Sequence, residues 1–398
     1  MVLGFFTLVF LLCGLFYGYS YWKIIRAFRR RRGLKIALAG VAVLLLAMPF
    51  VGMWLERAGH NDFAWPVATI GFSSLVATGW FFGMSLATDL WNLLIRLIGR
   101  LVGPRDANGE SPARRPLHWA ILPPGWTVIA MGTIVTVGIA VSAVSALRVR
   151  PNEVVISVPN LPDDRSELVV AQVTDLHLGL NERGYRMRQV IDILERTKPD
   201  LIFFTGDNID SPLAHVDRFA EAFAHLQTPL GKYAVLGNHE FYVARTGSLD
   251  GVEAWYQRAG FRLLRQESVR PAPGLLIAGV DDPARWDPAS HYNEHAALKT
   301  ARMDDLVLFL KHQPHIVNPN GDSYWTGLAM IQFSGHTHGG QIWPWPHVTK
   351  LQYPLLMGLY TLSPTRHVYV SPGAGSWGPP LRLSAKPEVS IVRLRKSQ

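Results

Sequence analysis

The chain has 398 residues, with 39 Lys and Arg against 30 Asp and Glu, 17% charged and 48% apolar. An ordinary soluble chain carries about 25% charge, so the deficit predicts membrane segments. Residues 1–150 hold 15 basic and 5 acidic residues while residues 151–398 hold 24 and 25, which leaves the C-terminal part no basic excess for phosphate backbones and disfavours a nucleic-acid-binding enzyme; the lone Cys13 excludes an internal disulfide framework and a zinc ribbon.

Four apolar stretches come first, at 3–22, 34–54, 66–88 and 120–146. Each is about 20 residues long, enough at 1.5 Å per residue to cross a hydrocarbon core of ~30 Å. A cleavable signal peptide would place its basic residues ahead of the first run. Here they follow it, at Lys23, Arg26, Arg29, Arg30, Arg31, Arg32 and Lys35. Gly71, Ser73, Ser74 and Gly79 in the third stretch suit close helix packing and also lower its hydropathy. The loop between the second and third stretches has a single basic residue, Arg57, whereas the loop at about 89–118 has Arg96, Arg100, Arg105, Arg114 and Arg115. The positive-inside rule then makes the first and third loops cytoplasmic, so four transmembrane helices put both termini and the remainder of the chain outside. Arg148 and Arg150, just past the fourth stretch, weigh slightly against this. The expected division is a membrane domain over 1–147, a linker over 148–166 and a soluble domain over 167–398.

From residue 167 the pattern changes to short β-rich runs separated by amphipathic segments, which predicts α/β architecture. The predicted strands are Leu168–Val173, Leu201–Thr205, Tyr233–Leu236, Leu275–Val280, Leu306–Leu310, Met330–Ser334, His367–Val370 and Val389–Leu394. Five of the first six are followed by metal-binding residue types. The first leads to Asp175-Leu176-His177, whose outer members point the same way in an extended segment. The second leads to Gly206-Asp207 with Asp210, and the third to Gly237-Asn238-His239-Glu240. The fifth leads to His312, and the sixth to Gly335-His336-Thr337-His338-Gly339. Asp-x-His alone is equally a hydrogen-bonded strand end, and Gly-Asp alone is common turn chemistry. Their joint occurrence after successive strands, with carboxylate, amide and imidazole donors and no thiolate, predicts a two-metal site suited to Mn, Fe or Zn.

In this motif series, Asp-x-His, Gly-Asp-x-x-Asp, Gly-Asn-His-Glu, a strand-end His and Gly-His-x-His, the soluble part resembles the calcineurin-like metallophosphoesterase family. Gly335–Gln341 with the closing Gly373–Gly378 further resembles its YkuE/YaeI-like bacterial branch, and the apolar N-terminal region resembles transmembrane proteins bearing this domain. The resemblance implies a four-layer sandwich, two mixed β-sheets face to face with helices outside. It implies that Asp175, His177 and His338 hold one divalent ion, that Asn238, His312 and His336 hold the other, and that Asp207 bridges them. His239 becomes the histidine facing the leaving group, and Asp210, Glu240 and Gln341 become supporting groups. Two cations about 3.5–4 Å apart bind a bridging hydroxide and stabilise charge on a phosphoryl group in its transition state.

The weaker motifs stay open. Trp343-Pro344-Trp345-Pro346 reads as an aromatic wall for lipid or substrate, or equally as a rigid loop packed on its own domain. Asp281 and Asp282 read as turn residues, His291, His295 and His315 as surface or supporting groups, and Arg382 as a weak candidate for touching phosphate. The expected function is a membrane-anchored, metal-dependent phosphoesterase facing the cell exterior or periplasm. Tethering to the bilayer suggests a lipid-linked phosphodiester or pyrophosphate, and serves soluble phosphoesters as well. The alternative is a non-catalytic membrane scaffold that keeps the fold. Natural substrate and oligomeric state are not legible from the sequence.

Overall fold

The computed structural model describes residues 2–28, 32–102, 117–159, 161–162, 165–179, 184–284, 292–317 and 327–397. The chain divides into two compact units, Met1–Val141 and Ser142–Gln398.

Four long helices account for the N-terminal region: α1 (Val2–Phe28), α2 (Arg32–Arg57), α3 (Asn61–Val102) and α4 (Pro124–Ala146). Among the described residues, three segments are long and apolar enough to cross a membrane, Arg32–Arg57, Asn61–Leu101 and Pro124–Ala146. The first apolar stretch falls on α1, where the side chains of residues 2–9 lie outside the described residues. The 42 residues of α3 amount to about 63 Å of helix, roughly twice a hydrocarbon core. Residues 89–102, expected to be loop, instead continue this helix, since no Gly-Pro breaker interrupts the run through Leu101. Arg96 and Arg100 therefore sit on a helix; Arg29–Arg31, Arg105, Arg114 and Arg115 lie outside the described residues. Small residues let α2 and α3 approach: a Cβ on Gly52 would lie 2.6 Å from that of Ala68, and one on Gly71 2.5 Å from Pro49 N. Lys23 and Tyr19 of α1 both bond the carboxylate of Asp89 on α3, so that acid has a cationic partner.

The second unit contains two six-stranded sheets. The first has the order β1 (Arg150–Val158), β12 (Glu388–Lys396), β2 (Glu167–Val173), β3 (Leu201–Thr205), β4 (Lys232–Val235) and β5 (Arg262–Leu263). The second has the order β10 (Gly358–Ser363), β11 (Arg366–Val370), β9 (Ala329–Ser334), β8 (Leu306–Leu310), β7 (Leu275–Gly279) and β6 (Glu267–Ala272). Both are mixed: β12 runs antiparallel to β2 in one, and β10 and β6 are antiparallel edges in the other. The central strands are continuous apolar runs because both their faces are covered. Leu201 and Phe203 of β3 join Leu308 of β8 and Ile331 of β9 in a core between the sheets. Ile202 and Phe204 point the other way, onto helix α5 (Tyr185–Thr197) and the helix Leu249–Arg258. Val307 and Phe309 of β8 pack outward on Ala297 and Leu298. Period-two alternation thus builds helix, sheet, sheet and helix layers.

Residues 148–166 are more than the expected linker. Residues 150–158 form β1, paired in parallel with β12 from Arg150↔Glu388 to Val158↔Lys396. Its first residues, Arg150, Pro151 and Asn152, are exposed and polar or Pro, so this edge is held by main-chain pairing rather than by an apolar pattern.

Candidate metal centre

The β2, β3, β4, β8 and β9 ends converge on one patch. The loop after β2 is laced to the loop after β3: Asp175 N donates to Gly206 O at 3.0 Å, His177 N to Asp207 O at 3.1 Å and Leu178 N to Asn208 O at 2.8 Å. His336 N, after β9, donates to both carboxylate oxygens of Asp175 at 3.1 and 3.0 Å. His239 N, after β4, donates to Asp207 Oδ1 at 2.8 Å.

Asp175, His177, Asp207, His336 and His338 all have positive φ, between 49° and 69°. Side chains with a Cβ seldom adopt this conformation, and it is maintained where the surroundings over-determine it. Two glycines leave the room. A Cβ on Gly237 would lie 2.2 Å from Asp207 Oδ1, and one on Gly335 2.2 Å from Asp175 Oδ2.

The result is two clusters of donors. Asp175, His177 and His338 bring one ligand atom each to within 4.8 Å of one another, and Asp207, His312 and His336 do the same. His177 Nε2 faces His338 Nε2 at 3.0 Å, and His312 Nε2 faces His336 Nδ1 at 3.2 Å. Facing ring nitrogens can share one proton, or both can turn lone pairs to a cation. Oδ1 of Asn238 is buried and has no hydrogen-bond partner among the described residues. A buried amide oxygen left without a donor suits a ligand position. The donor set, hard oxygens with imidazoles, fits divalent Mn, Fe or Zn. A third group joins His177, Asp210 and His239, with His239 Nδ1 2.5 Å from Asp210 Oδ1 and His239 Nε2 4.0 Å from Asp207 Oδ2.

Charge is divided unevenly across the patch. Burial opposes ionisation of Asp207, but the charges of His312 and His239 outweigh it and hold this carboxyl well below the usual range. Burial raises Asp175, and the Asp207 charge adds to that. Burial, then the His312 charge, lowers His336 to about 3, and burial with the Arg382 charge lowers His338 well below the usual imidazole value. Both shifts favour the neutral imidazole, the form that can ligate a cation. For His239, burial is outweighed by Asp210 and Asp207, which push it up to about 10.

Around these side chains lies a supporting ring. Glu240 Oε2 accepts from Asp207 N and Gly237 N, and Oε1 accepts from Asn208 N, Ile209 N and the Tyr256 hydroxyl. His312 Nδ1 donates to Thr205 O at 2.8 Å. Nε2 of His336 meets the Tyr353 hydroxyl at 2.9 Å. Tyr353 was missed in the sequence because it follows no strand; its place after the helix Trp345–Gln352, which is itself anchored beside Gly340, is set only by the fold.

Several weaker expectations are corrected. Arg382 does not present itself to a phosphate: it is completely buried, donating to Gly375 O, Pro372 O and His338 O and lying 2.9 Å from His338 Nδ1. Asp281 and Asp282, read as turn residues, lie in irregular backbone after β7 and are buried, Asp281 paired with Arg265 and Asp282 accepting from Gln313. In the Trp343–Pro346 segment both indoles are exposed, Trp343 57% and Trp345 55% accessible, while Pro346 lies against Gly340. Gln341 grips the closing loop, its side chain bonding both N and O of Trp377. His295 and His315 are exposed, and His291 lies outside the described residues.

Residues 168–340 match the family described as Calcineurin-like phosphoesterase. A protein of Aquifex aeolicus described as an uncharacterized metallophosphoesterase is 37% identical over 58% of this chain and 86% of its own length. A Danio rerio transmembrane protein with metallophosphoesterase domain is 27% identical over 68% of this chain, which spans 63% of that relative. YkuE of Bacillus subtilis, an uncharacterized metallophosphoesterase, is 29% identical over 57% of this chain and 79% of its own. A Danio rerio dimetal phosphatase crystal structure covers 52% of this chain and 87% of its own at 13% identity and a TM-score of 0.33, too slight a likeness to bear on the site.

Proposed function

The chain belongs to the calcineurin-like phosphoesterase family and is a metal-dependent phosphoesterase, and from that premise we propose that its seven strand-end side chains hold a pair of divalent ions. Asp175, His177 and His338 hold one, Asn238, His312 and His336 hold the other, and Asp207 is shared. The observation that carries this reading is the pairwise convergence of the two donor clusters; Asn238, whose buried oxygen has no partner among the described residues, precedes His239, whose N–H bonds Asp207 Oδ1. Ions held there would supply Lewis acidity toward a phosphoryl oxygen and lower the pKa of water, so that attack would need no separate strong base.

The protein's own groups do the rest. Asp207 would supply the negative charge shared by the two cations. His239, oriented by Asp210, carries a proton that it donates to, or shares with, the departing alkoxide. Tyr353, Thr205 and Glu240 fix the orientation of the ligands rather than touching substrate. Two further readings rest on the sequence: α1 supplies a fourth span, and the catalytic unit lies outside the cytoplasm. Tethering favours a substrate that resides in or near the bilayer, a lipid-linked phosphodiester or pyrophosphate.

The test uses the full chain, purified in detergent, stripped with chelator and reloaded with Mn. Hydrolysis of bis(p-nitrophenyl) phosphate is expected to vanish on stripping and to return with about two metal equivalents, the stoichiometry of a two-metal site. Metal binding without turnover of any phosphoester would favour the scaffold reading instead.

A further inference from the structure

The helix Trp345–Gln352 buries none of its residues, yet Trp345, Val348 and Leu351 recur along it at three-residue spacing. Such a stripe ordinarily faces a core. Trp343 before the helix, and Trp377 and Leu383 on the closing loop, are exposed as well, and Leu351 is 87% accessible. These six side chains, here the rim, lie on two segments that adjoin the loop carrying His336 and His338. Gly340, two residues past His338, lies against Pro346 so closely that a Cβ would meet Pro346 Cα at 2.4 Å. Tyr353 at the other end of the helix reaches His336. Gln341 O accepts from Leu383 N at 3.0 Å while its side chain holds Trp377.

We propose that this rim is an interfacial membrane-docking surface, seated in the headgroup layer of the bilayer that anchors the chain, and that it delivers lipid-borne phosphoesters to the metal centre. The substrate class rests on the phosphoesterase reading above; the docking surface does not. Four observations select a bilayer as the occupant. Among its described residues the same chain carries three helices long and apolar enough to span a membrane. Within the unit Ser142–Gln398, Arg382 N donates to Ser142 O in the last turns of α4, so Leu383 adjoins the place where that helix enters the unit. Three of the six rim residues are indoles, the side chain that prefers the headgroup level. The helix carries Lys350 and His347 and no acid, which suits anionic headgroups. Tethering raises the local concentration of bilayer, so a modest apolar contact is sufficient to hold the rim down.

The test again uses the full chain, with Cys13→Ser and a spin label on Leu351→Cys, reconstituted in phosphatidylcholine–phosphatidylglycerol vesicles. A label on Arg258→Cys, at the end of an outer helix, serves as the water-exposed reference. The Leu351 label is expected to collide more with oxygen and less with a water-soluble nickel chelate than the reference label. Equal nickel access at the two labels overturns the docking surface. So does protection that disappears on lowering the protein-to-lipid ratio of the vesicles, since a second copy of the chain would then be the occupant. Kinetics supply the second arm. Trp345→Ala with Leu351→Asp is expected to slow hydrolysis of a vesicle-borne phosphate by about tenfold or more, the scale of losing one buried large apolar side chain, with bis(p-nitrophenyl) phosphate turnover unchanged. The vesicle probes are phosphatidic acid, phosphatidylglycerol and a polyprenyl pyrophosphate. An equal loss on both kinds of substrate, or wild-type turnover of the aryl diester and of none of the lipids, overturns the delivery role. If the wild type hydrolyses neither, the phosphoesterase reading falls, and the label measurement still decides whether the rim docks.

Discussion

At the scale of single residues, the site is an arrangement of uncomfortable backbones. Five of the seven proposed ligands sit at positive φ, where a Cβ crowds the carbonyl, and each such residue costs on the order of 1–3 kcal/mol. The strain persists because neighbouring loops share hydrogen bonds and because glycine occupies the positions of closest approach. Gly335 shows the consequence. Its own backbone needs no left-handed turn, but a methyl group there would meet Asp175 Oδ2 and Thr174 Oγ1 at 2.2 Å. Gly335→Ala is therefore expected to displace Asp175, to lower metal occupancy measured by plasma emission and to destabilise the fold by about 1–3 kcal/mol. Asp207→Asn is expected to abolish turnover and to lose both ions, because the shared negative charge disappears. His239→Ala separates chemistry from binding: turnover is expected to fall by about 10²–10⁴-fold with metal content unchanged, the range of a general acid. Unchanged turnover would remove His239 from the mechanism.

At the scale of elements, legibility in the sequence followed the physical signal. Strands buried on both faces, such as Leu201–Thr205 and Leu306–Leu310, are apolar throughout and stood out with their ends in place. Strand β1 did not, because an edge strand with exposed polar residues is defined by its partner β12, 230 residues away in the chain, rather than by its own pattern. The loop expected at 89–102 turned out helical for the complementary reason: charge marks where a helix leaves lipid, not where it ends. The candidate ligands lie on short motifs after strands, a pattern visible in the sequence, and the structure brings their Asp and His side chains together. Tyr353 and the burial of Arg382 were not, since each depends on a contact made from a distant segment. Glu240 stands between these cases. It is the fourth residue of Gly-Asn-His-Glu, yet its work is to terminate two loops by accepting four backbone N–H groups and a hydroxyl. In Glu240→Gln an amide NH₂ must face donors whichever way it flips, leaving buried groups unpaired. A loss of about 1–3 kcal/mol in denaturant unfolding of the full chain is expected. Tyr353→Phe leaves the fold intact but frees the outer nitrogen of His336, and affinity for one of the two ions is expected to fall about 10–100-fold in a competition titration with a metal indicator.

At the scale of the whole molecule, the question is which side of the membrane the catalytic unit occupies, and the number of spans matters less to it than to the topology as a whole. The basic cluster at Lys23–Lys35 precedes α2 whether or not α1 spans. If that cluster stays in the cytoplasm, α2 runs outward, α3 returns and α4 runs outward again, so the unit that follows α4 lies outside under either count. Asp62, with no basic neighbour between Arg57 and the third span, is consistent with an outer loop there, and Arg96 and Arg100 at the far end of α3 are consistent with an inner one. Loss of α1 as a span moves only the N-terminus. A C-terminal fusion to alkaline phosphatase, which folds only outside the cytoplasm, is accordingly expected to be active, and a fusion to a fluorescent protein that matures only inside is expected to be dark. Replacing Arg26, Arg29, Arg30, Arg31 and Arg32 by Gln removes the charge that retains the first loop and is expected to shift part of the population to the opposite pair of signals. Truncating α1 while keeping Lys23–Lys35 is expected to leave both signals as they are; their inversion on that truncation would mean that the first helix, not the charge behind it, sets the orientation.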